Sequence, residues 1–306
     1  MVFSLFLTFF VHYVLVAQQY DDSLNIFQTK QQEYLALTQY YRWFQTFERE
    51  QNERRIKNHL SLLSDSILMN TYNGPVKGKD GMKWFLDYVK PWKNSHHVEK
   101  VKVVQNSDAF LSLEADILYQ NILPDSSRNN YKLHYSTTLK QIDNELPIFT
   151  FIELLPTSKM DSPTFEDAYV ENRSKSFMYY WMFLVDNLKG NEGKFKELLA
   201  PDFSLDLPFV ERVKSGEQFE VWRKMMQSKI SSSLHSPKNF KANTNTDGTF
   251  HVSFDVEWRT IGVNGDKTSI EAHYDWILEN NLDERFARIK EMKVKQIKPV
   301  DVVDKF

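Results

Sequence analysis

The sequence predicts an α+β protein made of two tandem copies of one domain, with helices packed on an antiparallel sheet in each copy. Three observations carry this. Matching residues recur at a fixed interval, a helical apolar period precedes strand alternation in each copy, and 306 residues with 42% hydrophobic content suffice for two ordinary cores.

The interval is read by subtraction. His134 and His273, Tyr135 and Tyr274, Asp116 and Asp255, and Tyr119 and Trp258 are each 139 residues apart. Gly78 and Gly216, like Trp84 and Trp222, are 138 apart, which a one-residue gap explains. Upstream, QYYRWF at 39–44 precedes MYYWMF at 178–183 by about one period. Ordered matches over this span mark an internal duplication, with copies at 23–155 and 162–303 joined by a short polar linker at 156–162.

Within each copy the elements follow in the same order. A long helix is expected at 23–50 and again at 162–189, each opened by a serine cap, Ser23 or Ser162. A shorter helix follows at 53–63 and 192–200, then an extended segment at 66–72 and 203–210. A third helix starts after a glycine turn, in KDGMKWFLDYV and EQFEVWRKMM. Three strands close each copy. Val252, Phe254, Val256 and Trp258 share one face, as do Ile270, Ala272, Tyr274, Trp276 and Leu278 on the next strand, with GVNGDK as the hairpin turn. Leu111, Leu113, Ala115, Ile117 and Tyr119, then Leu133, Tyr135, Thr137 and Leu139, repeat the pattern in the first copy.

This order of helices, the pair LLSDSILMNTYNGPVKGKDGMKWF and LLAPDFSLDLPFVERVKSGEQFEVWR, and the closing strands resemble the nuclear transport factor 2-like superfamily. Ketosteroid isomerase, SnoaL-like cyclases and scytalone dehydratase belong to it. The resemblance implies two tandem cone-shaped α+β barrels, each with a pocket between the curled sheet and its helices. It also implies, for the enzymes, proton transfer by a carboxylate or imidazole. The fold hosts binding modules as well as isomerases and dehydratases, so it decides no function by itself.

The strand faces turned toward the helices define the expected pocket: Tyr41, Trp84, Tyr119 and Tyr135 in the first copy, and Tyr180, Trp222, Trp258, Tyr274 and Trp276 in the second. No ionisable group falls on that face of the two best-read strands of either copy. His134 is expected opposite Asp116, and His273 opposite Asp255 or Glu257, on the outer face. Such a pair can act in acid–base catalysis or serve as a cross-strand ion pair. Packing of the two outer faces into an intrachain pseudo-dimer would bury both.

His96 and His97, in KNSHHVEK, are expected in a solvent-facing loop, since two adjacent histidines without a third ligand make no metal site. In the last strand, Arg288 and Lys290 fall near the apolar phase, where an inward cation would suit an acidic ligand.

Composition narrows the field further. A net charge of −3 gives no basic footprint for nucleic acid. With no cysteine there is no disulfide, thiolate metal site or cysteine nucleophile. With 9 glycines and no phosphate-binding loop, no cofactor is expected. The apolar run MVFSLFLTFFVHYVLVA is too short for a stable membrane span and reads as a secretory signal at 1–17, with Ala17 as the candidate cleavage residue and an uncleaved anchor or a misassigned start as the alternatives; the signal reading places the protein outside the cell or in a periplasm.

The resulting expectation is an exported protein that binds a small apolar or aromatic ligand, or a protein partner, without catalysis. The alternative is a cyclase, isomerase or dehydratase drawing its acid or base from elsewhere, with Asp65, Asp80, Asp202, Asp206 and Glu217 as the candidates.

Overall fold

The structure is a computed structural model describing residues 2–105, 107–161, 164–208, 210–304 and 306, with side chains described from Ser23 onward except Gln105. The side chains of the segment at 1–17, including Ala17, and the cap residue Ser162 lie outside the described residues.

The first half runs α1 (Val2–Gln45), α2 (Glu53–Leu60), β1 (Leu63–Thr71), β2 (Gly74–Lys77), α3 (Gly78–Val89), β3 (Lys93–Gln105), β4 (Phe110–Ile122), β5 (Arg128–Lys140) and β6 (Ile148–Lys159). The second runs α4 (Tyr169–Asp186), a 3-10 turn (Lys194–Glu197), β7 (Leu199–Asp206), α5 (Gly216–Lys229), β8 (Ile230–Thr244), β9 (Phe250–Gly262), β10 (Lys267–Glu279), β11 (Arg288–Gln296) and the short β12 (Asp301–Val302). The sheets are ordered β2-β1-β6-β5-β4-β3 and β7-β11-β10-β9-β8, with β12 beside β10. Both are antiparallel except at one pair, β1 with β6 and β7 with β11. The α+β plan is therefore present twice.

Several boundaries differ from expectation, each for a local reason. Ser23 caps nothing, because α1 runs through it; it is buried within the helix. The helix of the second half starts only at Tyr169, after Ala168. Pro156–Lys159 form no linker: they end β6, paired to Tyr131–Leu133 of β5. Each half has four long strands rather than three. The additional ones, β3 and β8, escape the apolar alternation because their pocket-side residues include Asn94, His96 and His235.

The halves pack through helices. Residues 34–48 of α1 and the turn after it are buried around the full circumference, between the helix's own sheet and α4. Tyr41 stacks on Tyr179 across this seam, with centroids 5.9 Å apart and planes 14° apart. The seam also crosses over: Gln31 and Tyr34 of α1 donate to the backbone of β8, and Asn172 of α4 donates to the backbone of β3. The outer sheet faces do not form the contact. His134 and His273 keep 38% and 43% of their side-chain surface. Those faces are laced with charges whose desolvation would cost more than their pairing returns, whereas α1 and α4 are apolar on several sides. Among the described residues no helix is long and apolar enough to cross a membrane.

Candidate functional site

Each half carries a cavity open to solvent at its mouth, of about 790 Å³ in the first and about 520 Å³ in the second. The walls of the second are apolar side chains of α4, α5 and the strands, among them Trp181, Leu207, Trp222, Met225, Trp258, Tyr274 and Met292.

A carboxylate and an imidazole stand on that wall. The side chain of Asp186, the last residue of α4, is fully buried, and its Oδ1 lies 2.6 Å from His235 Nδ1. Its Oδ2 accepts the His235 backbone N–H at 2.9 Å, and Ser233 Oγ donates to Oδ1 at 2.8 Å. These donors offset the unfavourable placement of a carboxylate at the negative end of a helix. His235 stacks on Trp258, its cross-strand partner, at 5.1 Å and 16°. With Nδ1 donating to Asp186, Nε2 carries the lone pair. It has no protein partner among the described residues, and the ring lines the cavity. Tyr274 lines it too; burial and the nearby Asp186 raise the pKa of its hydroxyl, which stays protonated and can donate.

The first half repeats the arrangement one period earlier. His96 and His235 are 139 residues apart. His96 lies on the cavity wall against Tyr119, its cross-strand partner, with ring centroids 4.9 Å apart. Glu48 Oε1, just beyond α1, accepts the His96 backbone N–H at 2.9 Å and lies 3.2 Å from His96 Nδ1. Asn172 donates to the same oxygen at 2.9 Å, and Oε2 is buried without a partner among the described residues. Burial dominates here: it pushes Glu48 up to about 8 and His96 down to about 3. At neutral pH the pair is a neutral acid beside a neutral, weakly basic imidazole, although the two atoms sit at ion-pair distance. Asn94, Asn121, Asn129 and the Tyr119 hydroxyl form a hydrogen-bonded chain along this cavity at 2.8–3.1 Å.

Of the residues expected in the pockets, Tyr119 and Tyr135 line the first cavity and Trp222, Trp258 and Tyr274 the second. The other four do not. Tyr41 lies in the seam against Tyr179. Trp84 is 64% exposed, stacked on Tyr88 on the outer side of α3. Tyr180 packs on Phe286 and faces a separate cleft beside residues 141–147. Trp276 is fully buried in the core against Phe177 and Phe254. Tyr41, Tyr180 and Trp276 meet a neighbouring element instead of the hollow, and Trp84 faces solvent.

The outer pairs form as expected. His134 lies directly opposite Asp116, with Nδ1 2.9 Å from Oδ1 and Nε2 2.9 Å from Glu114 Oε2. His273 lies opposite Asp255 at 2.7 Å, with Asn239 donating to the other carboxylate oxygen. Neither lines a cavity. The absence of inward ionisable groups holds for β4, β5, β9 and β10, from which it was read, and fails for β3 and β8. His96 is accordingly no loop residue but a buried member of β3. Arg288 and Lys290 turn outward to Glu284 and Glu279, and Met292 and Val294 face the cavity instead. Asp65, Asp80, Asp202, Asp206 and Glu217 line neither cavity.

No family model and no curated protein matches this chain. Among solved structures it is similar to a hexachlorocyclohexane dehydrochlorinase, LinA type 2, at 12% identity and a TM-score of 0.39, over 44% of this chain and 90% of that one. LinA-type3 from Novosphingobium barchaimii matches at 14% identity and a TM-score of 0.36, over 42% and 88%. An uncharacterized protein with a cystatin-like fold from Caulobacter vibrioides matches at 10% and 0.36, over 42% and 91%. Each is about one repeat long. The likeness is one of general shape, and the activities those names state belong to those proteins.

Proposed function

We propose that the second cavity performs acid–base chemistry, moving a proton on a small apolar or aromatic molecule in an isomerisation or elimination. The supporting observation is the Asp186–His235 pair, buried on the wall of an apolar hollow with one ring nitrogen free. In this reading His235 Nε2 removes a proton from substrate carbon. Asp186 fixes the ring's tautomer and stabilises the imidazolium that forms. Tyr274 donates to the oxygen or leaving group on which charge develops. The apolar walls exclude water and select an uncharged body, with the exposed Lys189 and Lys229 at the rim.

The first cavity is read as a binding site without catalysis. What favours this is the depressed basicity of His96 and the neutral Glu48 behind it. Its amide chain suits a planar ligand with hydrogen-bonding edges. The first domain is taken to start at 23 and to run past the expected 155 to the end of β6 at Lys159, the second as 162–303, and export as the role of the apolar segment at 1–17.

Native mass spectrometry of protein purified from its own source tests the assignment. Two retained species that differ by an eliminated small molecule, or two isomers of one mass separated by chromatography after release, support turnover. One unaltered ligand, stable on incubation with the protein, contradicts it.

A further inference from the structure

Where α1 and α2 of the first half meet α4 and the β10–β11 connection of the second, four arginines converge on one small void. Arg42, Arg55 and Arg173 are 5%, 4% and 2% exposed, and Arg285 is half-buried. Among the described residues, none of the three buried guanidiniums touches a carboxylate. The nearby acids are engaged elsewhere: Glu197 grips Arg285 at 2.7 and 2.8 Å, Glu284 grips Arg288 at 2.6 Å, and Asp283 accepts from Asn52 at 2.7 Å.

The bonds the three do make go to uncharged oxygens. Arg42 donates to Gln39 Oε1 at 2.7 Å and Arg55 to the Gln45 carbonyl at 3.1 Å. Arg173 donates to Gln45 Oε1 at 2.8 Å and to the carbonyls of Asn281, Glu284 and Arg285 at 2.8–3.4 Å. Among the described residues, that leaves Arg55 Nη1, Arg173 Nε, Gln45 Nε2 and both ring nitrogens of His59 buried without partners. So many unpartnered polar atoms in one place are rare in a folded protein, and buried cations that touch no carboxylate are costly. The N–H groups among them, on Arg55, Arg173, Gln45 and one side of the His59 ring, call for an acceptor, and three adjoining guanidiniums favour a negative one.

Size then decides its identity. The void holds about 20 Å³, room for one water-sized particle by the usual requirement of roughly 10–15 Å³. A sulfate or phosphate does not fit. Water fits but brings no charge. We propose that a single small inorganic anion of halide size binds between Arg42, Arg55 and Arg173, with Gln45 and His59 completing the shell. Arg42 and Arg55 come from the first half and Arg173 from the second, so the ion ties the halves together at the end of the helical seam. Burial lowers Arg42 to about 9 and also depresses Arg55 and Arg173, while Glu197, Asp283 and Glu284 act on them without direct contact in the opposite sense.

The test is bromide anomalous diffraction on crystals of the full chain, beside thermal melting in sodium chloride and in sodium gluconate at equal ionic strength. The expected result is a bromide peak within hydrogen-bond reach of Arg55 Nη1 and Arg173 Nε. Melting is expected at a higher temperature in chloride, rising with each tenfold step in its concentration, as mass action requires. Arg55→Gln should abolish the chloride dependence. A void filled by water in bromide-soaked crystals overturns the proposal, and so does identical wild-type melting in the two salts.

Discussion

His235 gives Asp186 two hydrogen bonds, one from its ring Nδ1 and one from its own backbone N–H, at 2.6 and 2.9 Å. The backbone bond fixes where the strand residue sits and the ring bond fixes which way the imidazole points. One carboxylate therefore sets both the position and the tautomer of the base. Asp186→Asn keeps the shape but replaces one acceptor oxygen by a donor. Ligand binding should persist while turnover in the second cavity falls by about a hundredfold or more, checked by titration and rate on the same preparation.

Tyr34 reaches from α1 to the His235 carbonyl at 2.6 Å, across the seam between the halves. Tyr34→Phe removes that hydroxyl and leaves the buried carbonyl one bond short. The expected cost is about 1 kcal/mol of stability, read from the denaturation midpoint. A larger fractional loss of turnover in the second cavity than of ligand affinity in the first would show that the brace positions His235.

Glu48 titrates in the folded protein at about 8, above its ordinary value of 4.5. A carboxyl with a raised pKa favours the folded state below the unfolded value, and that advantage is lost as pH climbs from about 4.5 to about 8. His96 and His59, lowered to about 3 from 6.5, act in the opposite direction: their contribution is present above about 6.5 and is lost as pH falls toward 3. Stability should therefore peak in mildly acidic solution. Glu48→Gln should flatten the alkaline limb and leave the acid limb in place, measured as melting temperature against pH.

His134 and His273 make their ion pairs at half-exposed positions. Water screens such pairs, so His134→Ala and His273→Ala should each cost only about 0.2–1 kcal/mol. Turnover should be unchanged. Loss of activity in either variant, with stability intact, would move the chemistry to the outer face.

The duplication, the register of the outer pairs and five of the nine expected pocket residues were legible in the sequence because period-2 alternation is strong in β4, β5, β9 and β10. The reactive pair was not, because β3 and β8 break that alternation at the positions that matter. Asn94, His96 and His235 replace apolar residues on the wall of a cavity, as functional positions commonly do. A signal was nevertheless present: the spacing of 139 that matched His134 with His273 also matches His96 with His235. Glu48 and Asp186 carried no such mark, being one residue out of step and recognisable only once the helices were placed. The helical seam was hidden for another reason. Periodicity shows that α1 and α4 are apolar on several sides, but not what covers the second face.

The central claim, that His235 is a base toward carbon, is tested most directly by hydrogen exchange into the bound molecule. The species retained by the protein is incubated in heavy water with the wild type and with His235→Gln, and deuterium uptake at carbon is timed by mass spectrometry. The expected result is catalysed uptake by the wild type, slowed by about a hundredfold to ten-thousandfold in the variant, with the molecule still bound. Equal uptake by both proteins, or none by either, would contradict the assignment.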